Sequence, residues 1–159
     1  NIYYIKFLMN DLTLVIPAKK EKESLPRVLG ELNKYNYPIL VVLEESDKET
    51  IEAIKNFDCK IITQINDGFG NALIQGIKEV ETDFLCIFNA DGSMDPKYLK
   101  NMFNELSNNY DFVFNSRYEK EGGSDDDTFL TYIGNKIFTF ICNLFFILEN
   151  LFFTYIYKL

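Results

Sequence analysis

The feature that most constrains the fold is an alternation of short, unbroken apolar runs with segments of helical periodicity. After Ser24, for example, apolar residues recur at Leu25, Val28, Leu29 and Leu32, the spacing of one helix face. Unbroken apolar strands between amphipathic helices are typical of a parallel sheet covered on both faces, so we predict an α/β fold. The predicted strands are residues 12–16, 39–43, 60–63, 84–88 and 112–114. The helices between them begin at Ser24, Asp47, Gly68 and Asp95, and we expect Ser24, Asp47 and Asp95 to cap their helices.

The composition excludes several kinds of functional site. The 159 residues include 16 basic and 24 acidic side chains, and this net charge of −8 argues against a nucleic-acid partner. The absence of histidine removes imidazole catalysis and histidine metal ligands. Cys59, Cys86 and Cys142 are far apart in the sequence, so we expect reduced thiols and no soft-metal site. A metal here is therefore expected to be a hard cation bound by oxygen atoms.

The C-terminal part of the chain differs in composition from the rest. Residues 129–159 carry only three charged side chains, and 21 of these 31 residues are apolar. We therefore predict two parts, a ligand-binding domain over 1–128 and an apolar helical tail over 129–159. The longest charge-free stretch, 137–148, is shorter than the roughly 20 residues of a spanning helix. This favours a helix on a membrane surface over a core helix, a dimer-interface helix or a span. With no signal peptide pattern in residues 1–10, we expect a cytoplasmic protein on the inner face of a membrane.

Ligands of parallel sheets bind at the carboxyl ends of the strands, so the residues after each apolar run form the candidate site. The fourth run is followed by Asn89, Ala90, Asp91, Gly92 and Ser93. Asp91 offers a carboxylate, and Asn89 and Ser93 offer neutral oxygen atoms. One carboxylate together with phosphate oxygens is a common way to hold Mg²⁺ or Mn²⁺. The alternative is an ordinary Asp-Gly turn.

Two further segments follow the second and third runs. The paired glycines Gly68 and Gly70 precede a predicted helix and can cradle a phosphate, or they can form a loop that needs positive φ. Glu44 ends the second run. Its carboxylate can accept a hydrogen bond from a ribose hydroxyl or a base N–H, or it can belong to a solvated acidic turn.

Two features follow the fifth run. The acidic, glycine-rich segment 122–127 can form a lid over a ligand or an exposed linker. Arg117 is one of only two arginines. It can pair with a phosphate or form a surface salt bridge.

Five segments occur together in one order along the chain. They are Ile16–Glu21, Val41–Glu44, Gly68–Ala72, Phe88–Ser93 with Asp95–Pro96, and Ser116–Tyr118. In this order, over residues 12–145, they resemble family 2 glycosyltransferases, and most closely the branch of dolichyl- and polyprenyl-phosphate sugar synthases. The resemblance implies a GT-A (Rossmann-like) fold, a UDP- or GDP-sugar donor, Mg²⁺ or Mn²⁺, and transfer with inversion.

The resemblance also implies roles for individual residues. Asp91 stands as the retained acid of the D-x-D motif and would hold the metal, with Asn89 in place of the usual first Asp and Ser93 nearby. Arg117 would face the donor or acceptor phosphate. Phe69 stands where a phosphate-facing lysine is common. The implied nucleotide-binding residues are Pro17, Ala18, Glu21, Glu44, Gly68, Gly70, Asn89, Ala90 and Asp91.

The acceptor decides whether the reaction needs a catalytic base. A glycan hydroxyl needs a carboxylate base, for which Asp125, Asp126 and Asp127 are the candidates. A polyprenyl phosphate is already ionised, and the apolar tail favours this acceptor. Two alternatives stay open, a catalytically impaired nucleotide-binding or scaffold protein and a sugar-nucleotide nucleotidyltransferase. The nucleotidyltransferase is expected to have a glycine-rich loop after the first strand, which residues 17–21 lack.

Overall fold

The computed structural model describes residues 11–106, 110–116, 129–146 and 153–158. Strands and helices alternate along the chain, as the apolar pattern predicts. The strands are β1 (Leu12–Pro17), β2 (Ile39–Glu44), β3 (Lys60–Gln64), β4 (Phe84–Ile87), β5 (Phe112–Ser116) and β6 (Phe153–Lys158). The helices are α1 (Ser24–Leu32), α2 (Lys48–Ile54), α3 (Phe69–Lys78), α4 (Leu99–Leu106) and α5 (Phe129–Phe146), and a 3₁₀ turn, Pro96–Tyr98, precedes α4.

The strands form a mostly parallel sheet, which confirms the predicted α/β class. Their order in the described residues is β3-β2-β1-β4-β6-β5. The pairs β1–β2, β1–β4 and β2–β3 are parallel. The order reverses at β1, which has β2 on one side and β4 on the other. In doubly wound sheets such a reversal is where ligands bind.

The last strand is a departure from the predicted helical tail. Helix α5 ends at Phe146, and Phe153–Lys158 forms β6, antiparallel to β4 with Ile156 opposite Cys86. The sequence of β6 is Phe-Thr-Tyr-Ile-Tyr-Lys, and aromatic and β-branched residues of this kind favour strands. The prediction took the apolar character of residues 129–159 as a helical signal and was wrong about this final segment.

The alternation of side chains along the strands divides the core between the two faces of the sheet. On one face Leu12, Leu14 and Ile16 of β1 pack with the buried apolar residues of α1, α2 and α4. On the other face Val15 packs with Ala72 of α3. Helices therefore cover both faces, as predicted for unbroken apolar strands.

Helix α3 lies unusually close to the sheet. A Cβ atom at the buried Gly76 would come within 2.5 Å of Val15 Cγ1 and 3.0 Å of Val42 Cγ2. Only a glycine permits this approach without a shift of the helix or the strands.

By the density of its contacts the chain divides into two units, Asn1–Val113 with Tyr155–Leu159, and Phe114–Thr154. Within the second unit, α5 exposes several large apolar side chains. Among the described residues, no helix combines the length and the apolar character needed to cross a membrane. The exposed apolar residues of α5 are Phe129, Leu130, Ile133, Ile137, Phe138, Phe140 and Ile141.

Candidate functional site

The loop after β1 is tied to the neighbouring strand and helix by its backbone. The N–H of Ala18 donates to the carbonyl of Val42 at 2.9 Å, and the N–H of Lys20 donates to Asp47 Oδ2 at 2.6 Å. Lys20 has a φ of 60°, a left-handed conformation that the Asp47 contact helps to hold. The predicted nucleotide-binding residues Pro17, which ends β1, and Ala18, which follows it, thus lie where the chain is tied to β2 and α2.

Asp47 connects this loop to helix α2. As predicted it caps α2, since its carboxylate also accepts the N–H of Thr50. Burial by itself would raise the pKa of Asp47, but the hydrogen bonds from Lys20 and Thr50 outweigh it and lower the pKa below its usual value. Asp47 is therefore ionised at neutral pH.

Glu21 links the loop after β1 to helices α1 and α2. The N–H of Glu21 donates to the buried Thr50 hydroxyl at 3.1 Å, and its carboxylate accepts the hydroxyl of Ser24. The residue before α1 is Glu23, whose side chain makes no capping hydrogen bond, so the prediction that Ser24 caps this helix was wrong. The Glu21 carboxylate fastens the loop to the start of α1.

Glu44 forms an ion pair at the end of β2. Its Oε1 accepts from Lys19 Nζ at 2.5 Å, and only 16% of its side chain is exposed. The hydrogen bond and the charge of Glu44 raise the pKa of Lys19, and the carboxylates of Asp67 and Asp47 add to this effect. The sequence reasoning did not single out Lys19, although a cation directly after the first strand of such a sheet was a usable signal.

The segment after β4 folds into a compact turn that presents Asp91 to solvent. The N–H of Ser93 donates to Asp91 Oδ1 at 2.9 Å, and Asn89 Nδ2 donates to Ser93 Oγ at 3.0 Å. Gly92 has a φ of 84°, which L side chains rarely adopt. Ala90 is buried beneath the turn. The segment therefore has Asp-Gly turn geometry and an exposed carboxylate at the same time.

Arg27 of α1 reaches this turn and was missed by the sequence reasoning. Its Nη2 donates to the backbone carbonyl of Asp91 at 3.4 Å. The same guanidinium lies so close to Gly92 that a Cβ there would be 2.6 Å from Nη2. Arg27 places a positive charge beside the Asp91 turn.

The donor atoms around Asp91 suit a hard cation only in part. Asp91 contributes a carboxylate with one oxygen already used in the turn, and Asn89 and Ser93 contribute neutral oxygens. Within the described residues no group of three or more acidic or thiol side chains could hold a metal ion. A divalent cation fits this set when a ligand's phosphate oxygens supply further negative charge.

The loop before α3 opens at the same edge of the sheet. Gln64, the last residue of β3, lies opposite Glu44 in the sheet register. Gly68 has a φ of 103°, as expected for a loop that needs positive φ, and it precedes α3 without a side-chain cap. A Cβ atom added at Gly68 or Gly70 would meet no other atom within 4 Å, so the backbone of this loop is not covered by the rest of the described chain. Phe69 is 63% exposed.

The structure thus brings together the loops that follow β1, β2, β3 and β4, which all belong to the first unit. Arg117 and the predicted acidic loop with Asp125, Asp126 and Asp127 lie outside the described residues.

Comparison with known proteins identifies the family of this chain. The model of glycosyl transferase family 2 matches residues 13–157. An uncharacterized glycosyltransferase of Mycobacterium tuberculosis is 31% identical over 106 residues, 67% of this chain and 48% of that protein. A dolichol-phosphate mannosyltransferase of Pyrococcus furiosus is 28% identical over 120 residues, 70% of this chain and 34% of that protein. The chain spans half or less of the length of these relatives.

A solved structure supports the same fold. Mannosyl-3-phosphoglycerate synthase from Rubrobacter xylanophilus superposes with a TM-score of 0.73 at 16% identity, covering 96% of this chain and 54% of that one. The likeness shows the GT-A fold that the resemblance implied. Because the family model covers nearly the whole sequence and the fold agrees, this chain belongs to glycosyl transferase family 2.

Proposed function

We propose that this chain carries the donor site of a glycosyltransferase that moves a sugar from a UDP- or GDP-sugar to a polyprenyl or dolichyl phosphate. The observation that carries the proposal is the meeting of the loops after β1 to β4 at one edge of the sheet in a family 2 chain. This edge combines a fixed backbone turn, an oriented carboxylate at Glu44 and an exposed carboxylate at Asp91.

The nucleoside would lie against the loops after β1 and β2. Glu44 is held by Lys19, so its carboxylate is oriented before a ligand arrives and can accept from a ribose hydroxyl. Lys19 is 59% exposed at its side chain, so its positive charge is accessible to the diphosphate while it keeps the ion pair with Glu44. Because this pair is already oriented, less side-chain entropy is lost when the ligand binds.

The diphosphate would lie at the turn after β4. Mg²⁺ or Mn²⁺ would be held there by Asp91, with Asn89 or Ser93 and the diphosphate oxygens completing its shell. When bound, the ion stabilises the negative charge that develops on the leaving diphosphate. Arg27 adds a positive charge beside the same turn.

The transfer itself exchanges one C–O bond for another. An acceptor phosphate oxygen forms a bond to the anomeric carbon, and the bond from that carbon to the donor phosphate breaks with its electron pair leaving on the diphosphate. Attack from the opposite side inverts the configuration. An ionised phosphate needs no base, so this chain's contribution is to orient the donor and to balance charge.

A lipid acceptor is supported by two observations. One relative is named a dolichol-phosphate mannosyltransferase, and α5 exposes a row of large apolar side chains. We therefore propose peripheral association with the cytoplasmic face of a membrane. Replacing Phe129, Leu130 and Phe140 with Ser should release the protein from zwitterionic liposomes, while Ile74→Ser, which alters an exposed apolar residue of α3, should not. Equal flotation of the two variants would contradict membrane association through α5.

Donor binding is tested by thermal shift with UDP- and GDP-sugars, with and without Mn²⁺. A ligand at a hundredfold excess over Kd stabilises by about 2.7 kcal/mol, which raises Tm by about 5–10 °C at this size. Asp91→Asn should abolish the part of this rise in Tm that depends on Mn²⁺. Asp83→Asn is the matched control, because Asp83 is an exposed acid just before β4, at the opposite end of the same strand. Equal shifts in both variants would contradict the role of Asp91.

The acceptor is tested by two variants outside the described residues. With a polyprenyl phosphate, Arg117→Ala should slow transfer about 10- to 150-fold through loss of a charge-assisted contact. Neutralising Asp125, Asp126 and Asp127 together should slow it only modestly. A glycan acceptor reverses this order, since loss of a general base costs about 10²–10⁴-fold. Binding of donor without any turnover would instead favour the impaired binding protein.

A further inference from the structure

We propose that Phe69 is the platform on which the base of the donor nucleotide stacks. The inference rests on the proposed function and assigns one part of the donor to one side chain. Phe69 is the first residue of α3, and 63% of it is exposed.

The position of Phe69 on α3 explains why this exposure points to a ligand. Residues 69, 72 and 76 are spaced as i, i+3 and i+7, so they lie along one face of the helix. Ala72 and Gly76 on this face are buried against the sheet, where Gly76 approaches Val15 and Val42. Phe69 continues the same face beyond the end of the strands. A large apolar ring thus stands on the side of the helix that packs on the sheet further along, yet most of the ring is exposed.

The backbone on either side of Phe69 is not covered by other parts of the described chain. An added Cβ at Gly68 or at Gly70 would meet no atom within 4 Å. Gln75 braces the loop before Phe69, accepting the N–H of Ile65 at 2.9 Å and donating to the carbonyl of Thr63 at 2.8 Å. The mostly exposed ring is therefore presented from a loop whose start is braced by Gln75.

Charged groups lie near the loop that carries Phe69, and one of them, Asp67, is two residues before it. The Asp67 carboxylate lies close enough to Lys19 to raise the pKa of Lys19, after the larger effects of Glu44. Lys19 in turn holds Glu44 at 2.5 Å, at the end of the neighbouring strand. An aromatic face is thus combined with carboxylates that accept hydrogen bonds.

This combination fits a nucleobase better than a lipid chain. A base offers a flat π face to the ring and N–H groups to a carboxylate, and stacking of this kind does not depend on which base is present. An acyl chain would cover the ring but would leave the neighbouring carboxylates facing apolar groups, which is costly. We therefore assign the ring to the donor's base.

Calorimetric titration of UDP and GDP in the presence of Mn²⁺ tests the assignment. Phe69→Ala should weaken the nucleotide that the wild type binds by about 5- to 150-fold, the range for loss of one base–aromatic stack. Phe69→Tyr retains the ring and should bind within about twofold of wild type. Ile74→Ala is the matched control, because Ile74 is 55% exposed on the same helix and lies off the core-facing face. It should leave the nucleotide affinity unchanged.

Pyrophosphate with Mn²⁺ provides a probe without a base. Its affinity should be the same in wild type and Phe69→Ala, because stacking acts only on the base. Equal weakening of pyrophosphate and nucleotide would overturn the assignment in favour of a structural role for Phe69. If the wild type binds the nucleotide and Phe69→Ala binds it equally well, the assignment of Phe69 is overturned and the proposed function is not. A wild type that binds neither UDP nor GDP would overturn the proposed function as well.

Discussion

Replacing Gly92 with Ala should destabilise the protein and loosen the Asp91 turn. The residue has a φ of 84°, and an alanine in a left-handed conformation costs about 1–2 kcal/mol. Its Cβ would also lie 2.6 Å from Arg27 Nη2. This clash is cheap to relieve, because the atom is the far end of an exposed, flexible side chain, but moving it breaks the 3.4 Å hydrogen bond to the Asp91 carbonyl. Because that hydrogen bond is long and exposed, its loss adds little to the backbone strain, and we expect a total loss of about 1–2 kcal/mol.

Gly70→Ala is the control for Gly92→Ala and has the opposite expected sign. Gly70 lies in the first turn of α3, and an added Cβ would meet no atom within 4 Å. Alanine there should stabilise the helix by about 0.5–1 kcal/mol.

Urea denaturation of wild type and both variants measures the differences. A loss of this size at Gly92 corresponds to a Tm about 2–8 °C lower. The reasoning would be refuted if Gly92→Ala unfolded at the wild-type midpoint, or if Gly70→Ala were destabilised to the same extent.

Three further predictions follow from the packing and the titratable groups. Gly76→Ala should lower the free energy of unfolding measured with urea by about 1–3 kcal/mol, because its Cβ would lie 2.5 Å from Val15 Cγ1. An unchanged free energy of unfolding would mean that α3 can move away from the sheet without cost. Hydrogen bonds keep the pKa of Asp47 below its usual 3.8, so the ionised carboxylate contributes stability above about pH 4 that is lost as the pH falls. Asp47→Asn should flatten the acid limb of the stability profile, and an unchanged slope would contradict this. Burial raises the pKa of both Cys86 and Cys59, but Cys86 is fully buried, so alkylation followed by mass spectrometry should modify Cys59 before Cys86. Equal alkylation rates of the two thiols in the folded protein would contradict the burial of Cys86 in the core.

The sequence predicts those strands and helices whose formation depends on the pattern of nearby residues. Unbroken apolar runs such as residues 12–16 and 39–43 became buried parallel strands, because both of their faces need cover. The edge of the sheet that carries the candidate site followed from the same pattern, since residues after parallel strands meet at one end. The β6 segment was not recovered, because its apolar residues gave no clear helical or strand period at the end of a long apolar stretch.

The contacts that shape the site could not be predicted in the same way. Lys19 and Glu44 are 25 residues apart, Lys20 and Asp47 are 27 apart, and Arg27 and Asp91 are 64 apart. Each pairing depends on how strands and helices are placed in three dimensions. A one-dimensional pattern predicts where a loop lies but does not indicate which side chain of another loop it meets.

The most direct test of the proposed function is the detection of a glycosylated lipid phosphate. The wild-type protein is incubated with a UDP- or GDP-sugar, Mn²⁺ and a polyprenyl phosphate in detergent, and the lipid fraction is analysed by mass spectrometry. We predict a product heavier than the acceptor by one sugar residue, formed by Asp83→Asn and absent with Asp91→Asn. A donor that binds in the Mn²⁺-dependent manner described above, but gives no lipid product, would contradict the proposed transfer to a lipid phosphate.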